Sequence, residues 1–286
     1  MSDFDFKKPF LILGTHNQRE ENGGVFSCPS DSLFTPEGTI LVSHCTKGNN
    51  KITEFNLNGE IKRQVVFENM DSSVKMVIVE ENLLLVTENH CDKDDKMMLL
   101  NRGTLECFKT LQHKLHPFST TKGAYYREAT KEILVYDYGI GVIIIFDNLL
   151  EQKRVLEPEI IEDKRPGAFA VNSAGEVYLY YPVINQIRKL DMETGKTTET
   201  HFKVDAMELL DNIYFDTEDN LFLVSVGFFV PVKILSRDSG KQLKAFGILG
   251  SGFARSIHFN RLDESMMLTD SKRHVVYWFG KRNNVI

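Results

Sequence analysis

The chain has 286 residues, a net charge of −6, 42% hydrophobic and 26% charged residues, an ordinary balance for a globular protein. No apolar run approaches the length needed to span a bilayer as a helix, and the acidic balance argues against a face built mainly to neutralise phosphate. Four cysteines without a short disulfide-rich layout, and a start Met-Ser-Asp-Phe-Asp-Phe-Lys-Lys without an apolar leader, place the protein in the cytoplasm as an expectation.

Residues 1–8 read as a flexible start, and 9–286 as one domain. A lone apolar strand, Pro9 to Thr15, comes first. The stretch Gly38 to Glu60 then reads as a strand at Ile40–Ser43, a polar loop, a strand at Lys51–Phe55 and a tight turn at Asn58-Gly59-Glu60. The pair recurs at Leu84–Thr87 with Lys96–Leu100, Ile133–Tyr136 with Val142–Phe146, and Val177–Tyr180 with Gln186–Leu190. It returns at Phe222–Val224 with Val232–Leu235, and at Met266–Thr269 with Val275–Phe279. Taking Ser43, Thr87, Tyr136, Tyr180, Val224 and Thr269 as equivalent, the spacings are 44, 49, 44, 44 and 45 residues. Strand-built periods of this length mark propeller blades. The expected fold is therefore all-β: a six-bladed β-propeller of four-stranded antiparallel blades. The sixth copy lacks an outer strand, and Phe10–Gly14 resembles Phe246–Gly250, so the N-terminal strand is expected to complete the last blade.

The order Leu13-Gly14, Gly24-Val25-Phe26, Pro29, Gly38–Ser43, Lys51–Phe55 and Asn58-Gly59-Glu60 resembles the NHL repeat, the six-bladed propeller of many tripartite-motif proteins. Leu268-Thr269-Asp270 with Val275–Phe279 is the next best copy. Asp137 and Asp270 stand where that family usually carries Asp after the second strand, and His44, Glu88, Tyr181 and Ser225 replace it elsewhere. The resemblance implies a binding domain, in some members for single-stranded RNA.

The loops expected on one face are His44–Asn50, Glu88–Asp95, Asp137–Gly141, Tyr181–Asn185, Ser225–Pro231 and Asp270–His274, joined by the connections between blades. Loops normally face water and are polar. Here Tyr138, Tyr181, Ile184, Phe228, Phe229 and Phe118 make them apolar. Three readings stand open: strand extensions buried between blades, anchors for a protein or peptide partner docking on a scaffold, or the lining of a small-ligand pocket.

RNA binding is the alternative, with Lys47, Lys51, Lys93, Lys96, Lys114, Lys272 and Arg273 as its cations. The doublets His44-Cys45 and His90-Cys91 supply zinc-type ligands without C-x-x-C spacing, so no metal is expected. A metal-dependent propeller hydrolase or lactonase is the second alternative. Its cage of acidic and Asn residues is too sparse here, with Asp31, Asp211 and Asn212 alone at the inner-strand starts. The expectation is a non-catalytic protein with no cofactor and no small-molecule substrate.

Overall fold

The computed structural model describes residues 9–14, 28–46, 49–68, 73–80, 82–89, 95–113, 121–162, 164–205, 210–225, 232–247, 254–260 and 263–280. All its regular structure is β. In chain order, β1 is Leu11–Leu13, and the first blade is β2 (Pro29–Phe34), β3 (Ile40–Thr46), β4 (Asn49–Phe55) and β5 (Ile61–Glu68). The second is β6 (Ser73–Val79), β7 (Leu83–Asn89), β8 (Asp95–Asn101) and β9 (Cys107–His113). The third is β10 (Thr121–Arg127), β11 (Glu132–Asp137), β12 (Val142–Asp147) and β13 (Gln152–Leu156). The fourth is β14 (Ala168–Val171), β15 (Val177–Tyr181), β16 (Gln186–Leu190) and β17 (Thr197–Lys203). The fifth is β18 (Leu210–Phe215), β19 (Leu221–Ser225), β20 (Val232–Leu235) and β21 (Gln242–Phe246). β22 (Ala254–Phe259), β23 (Met266–Asp270) and β24 (Val275–Phe279) begin the sixth.

Six four-stranded sheets result, five in sequence order and one ordered β1-β24-β23-β22. This is the six-bladed β-propeller expected from the repeat, with the N-terminal strand in the outer place of the last blade. Among the described residues no helix is long and apolar enough to cross a membrane.

Contacts gather the chain into two compact units: Met1–Val74 with Val226–Pro231 and Phe246–Ile286, and Lys75–Ser225 with Val232–Ala245. In the first, Leu11, Ile12 and Leu13 pair with Trp278, Tyr277 and Val276. The Phe10 ring meets the chain's one tryptophan edge-on, with centroids 5.1 Å apart. Leu13, Phe34, Ile40, Val42, Phe55, Met267, Val276 and Trp278 form one buried cluster, so β1 docks by packing as well as by backbone pairing. Three buried hydroxyls inside this unit bond one another: Ser32 Oγ lies 2.7 Å from Thr269 Oγ1, which also accepts from Ser256 Oγ at 3.0 Å. The first blade turns at Asn56–Glu60, where Asn56 Oδ1 accepts from the amides of Asn58 and Glu60, and Gly59 supplies φ +85°.

In the second unit β11 and β12 are buried on both faces, which explains their unbroken apolar runs. Val142 to Phe146 of β12 are all buried, whereas β13 outside it is mostly exposed. Each such side chain contributes about 1.5–3 kcal/mol on burial. Ile144 packs with Leu85, Leu99 and Val135, and Ile143 and Ile145 pack with Phe169, Leu179 and Tyr181. Ile144→Ala would open a cavity costing about 2–5 kcal/mol.

The strands run further than the sequence reading allowed. β3 continues through His44 and Cys45 to Thr46, and β11, β15 and β23 end on Asp137, Tyr181 and Asp270. Register carries these residues inward, Asp137 opposite Val142 and Asp270 opposite Val275. The expected loop positions of His44, Glu88, Asp137, Tyr181, Ser225 and Asp270 are thus strand positions, buried except Ser225, which is half-buried.

Candidate functional site

The second unit holds a surface built from two turns and the connection that passes between them. The first turn is 137–141. Asp137 is buried at its start, where its carbonyl accepts from the Gly141 amide at 2.8 Å and its Oδ1 from the Ile140 amide at 3.3 Å. Gly141, at φ +75°, sends the chain into β12. Tyr138 is left at the tip, 43% exposed.

The connection, described at 157–162 and 164–167, is held at several points. The Glu159 amide donates to the Gly195 carbonyl at 2.9 Å, and Glu159 Oε2 accepts from the Thr197 amide and hydroxyl. Those bonds hold the Glu159 carboxyl below its ordinary range. Two buried tyrosines add anchors: Tyr181 donates its hydroxyl to the Glu159 carbonyl, and Tyr136 to the Pro166 carbonyl, both at 2.6 Å. Burial pushes both phenols upward, Tyr181 to about 12, so both stay protonated donors at neutral pH.

Arg165 joins the connection to the first turn. Its NH1 donates to the Gly139 carbonyl at 2.6 Å. Its side chain runs so close to Gly141 that a Cβ there would lie 2.3 Å from Arg165 Cδ. Two residues on, the Gly167 amide donates to the Tyr180 carbonyl at 2.7 Å. A Cβ on Gly167 would lie 3.4 Å from the ring of Pro182, which opens the second turn. That turn, 182–185, puts Asn185 at φ 50°, with Tyr180 donating to Asn185 Oδ1 at 3.3 Å. Val183 at its tip is 47% exposed. The connection therefore meets the turn that carries Tyr138 at Arg165, and the end of the strand that leads into the Val183 turn at Gly167.

Of the anchors expected from sequence, Tyr138 is on this surface. Ile184 is half-buried against the cluster of Tyr136, Phe169 and Tyr181. Tyr181 is 1% exposed, so here the buried strand-extension reading is the observed one and its ring has no surface to offer a partner. Phe118, Phe228 and Phe229 lie outside the described residues, as do Lys47, Lys93, Lys114, His90 and Cys91. Arg165 and the connection's anchoring were missed, because nothing in the local sequence ties Arg165 to Gly139.

The remaining expected cations divide between strands and one turn. Lys51 in β4 and Lys96 in β8 are half-buried strand residues. Lys272 and Arg273 are exposed in the turn after β23, with the Arg273 amide donating to Asp270 Oδ1 at 3.0 Å and Arg273 NH1 to Tyr277 Oη at 3.1 Å. His44, in β3, sets Nε2 2.9 Å from Thr53 Oγ1. Burial first, and then the charge of Lys51, lowers its pKa to about 4, so it is neutral at pH 7. Cys45 follows it in β3; among the described residues no group of three or more His, Cys, Asp or Glu converges as a metal site would require.

No family model matches the chain, and no curated protein matches it. The propeller architecture stands on the six sheets themselves, and the NHL resemblance stands on the sequence motif alone.

Proposed function

We propose that the chain is a non-catalytic binding module and scaffold that docks a protein segment on the loops of its third and fourth blades. The observation that carries this reading is the exposure of Tyr138 and Val183, two apolar tips on turns that hydrogen bonds hold in place. Exposed aromatic and aliphatic anchors on a rigid frame bind with little loss of conformational entropy. The free, exposed thiols of Cys28 and Cys107 suit the reducing cytoplasm.

Selection from a randomised short-peptide library on the immobilised chain tests this. The selected peptides should lose about tenfold or more in affinity for the double variant Tyr138→Ser, Val183→Ser. Both side chains are exposed, so thermal unfolding should be nearly unchanged. Equal binding to wild type and variant would overturn the reading.

A second reading, binding of single-stranded RNA as in some NHL propellers, is favoured by the adjacent exposed Lys272 and Arg273. Its mark would be an affinity for a single-stranded RNA oligonucleotide that falls steeply with salt.

A further inference from the structure

An arginine joins the docking surface at its first turn. Arg165 is exposed, and among the described residues no carboxylate pairs with it; its one hydrogen bond spends a single N–H on the Gly139 carbonyl. A guanidinium has five N–H donors in a planar fork. Anchored at NH1 and laid along Gly141, this fork is already ordered, so a bidentate acceptor arriving from solvent would meet a preorganised partner. Lys164 beside it is also exposed, and the exposed Glu162 is the described carboxylate nearest in sequence on the same connection. Asp137 is buried and accepts from the amide of Ile140, within its own turn.

We propose, resting on the docking reading above, that the docked segment is acidic. It presents the side-chain carboxylate of an Asp or Glu to Arg165 and seats an adjoining apolar residue against Tyr138 and Val183. A side-chain carboxylate fits better than a chain terminus. Terminal carboxylates are captured by clusters of backbone N–H groups, and in this turn the amides of Ile140 and Gly141 already donate to Asp137.

The peptides selected on the wild-type chain supply the probe. They should be enriched in Asp or Glu next to an aromatic or aliphatic residue. Replacing that acid by Asn or Gln should weaken binding about tenfold, and so should Arg165→Gln on the protein side. Arg165→Lys keeps the charge but not the fork and should retain part of the affinity. Thermal unfolding of both variants separates a binding effect from a folding defect. Acid-free peptides, or acidic ones that bind Arg165→Gln as well as wild type, would overturn the acidic partner while leaving docking intact. Peptides indifferent to the Tyr138→Ser, Val183→Ser change would overturn both.

Discussion

Turn 137–141 of the third blade and turn 270–274 of the sixth share one frame and carry opposite surfaces. Each starts on a buried Asp whose Oδ1 accepts from the amide three residues on, at 3.3 Å for Ile140 and 3.0 Å for Arg273. Each ends on a left-handed residue, Gly141 at φ 75° and His274 at φ 60°. The tips differ: Tyr138 in one, Lys272 and Arg273 in the other. The fifth position differs too, for a local reason. Gly141 lets Arg165 pass against the backbone, whereas the His274 ring accepts the Cys28 amide on Nδ1 at 2.8 Å. The repeat thus specifies the turn, and the tip side chains specify what the turn can meet.

The largest effect should come where the position that repeats Asp137 and Asp270 is a base inside a strand instead of an acid opening a turn. His44 holds that place in the first blade, with its pKa lowered from 6.5 to about 4. The unfolded chain binds the proton first, so stability present above pH 6.5 is lost as pH falls through the folded value. The whole shift corresponds to about 3 kcal/mol. Urea unfolding at pH 7 and near pH 4 should show a loss of that order in wild type and a smaller one in His44→Gln. Asp270 runs the other way: burial raises its pKa, so it favours the fold more as pH falls and partly masks the histidine. Equal losses in wild type and His44→Gln would show that the buried imidazole does not set the acid limit.

Next in size is Gly141→Ala. A Cβ at positive φ costs about 1–2 kcal/mol, and here it also displaces the Arg165 side chain. Thermal unfolding should register the cost, and acidic-peptide affinity should drop with it. His274→Gly should change stability by less than about 1 kcal/mol, because relief of the left-handed strain offsets the lost Nδ1 acceptor. Equal costs at the two sites would break the claim that the fifth position is tuned locally.

Tyr136→Phe removes one buried hydroxyl from the Pro166 carbonyl and should cost about 1 kcal/mol. It leaves the ring packing with Phe169 in place, so a weaker peptide affinity in this variant would report slack in the connection that carries Arg165.

The blades were legible because the middle strands pack on both faces and must be apolar, as Ile133–Tyr136 and Val142–Phe146 are. The strand ends were not. Asp137 and Asp270 look like loop residues, since burying a carboxylate is unfavourable unless N–H groups meet it. Only the turn geometry shows that the fourth residue's amide does so. Tyr181 was ambiguous for a similar reason: an aromatic residue after a strand serves equally as core or anchor, and its hydroxyl bond to Glu159 decides for the core. Arg165 gave no sign at all, because its partner Gly139 is 26 residues away in sequence and in another strand connection.

The smallest expected effect is the sharpest test of the comparison. Lys272→Glu with Arg273→Glu reverses the charge on the sixth-blade turn. Arg273 bonds Asp270 through its backbone amide, which any side chain keeps; the change gives up the NH1 bond to the Tyr277 hydroxyl and the attraction of both cations for Asp270. Stability should therefore move by less than about 1 kcal/mol. If binding belongs to the apolar turns, affinity for the selected acidic peptides should change by less than about twofold, because neither substituted side chain belongs to those turns and exposed charges are screened at physiological salt. If the cationic turn is the working surface, the same variant should lose its hold on a single-stranded RNA oligonucleotide, and the wild-type affinity should fall steeply with added salt. A variant that loses RNA while keeping peptide would assign each turn its own partner, through one shared backbone frame.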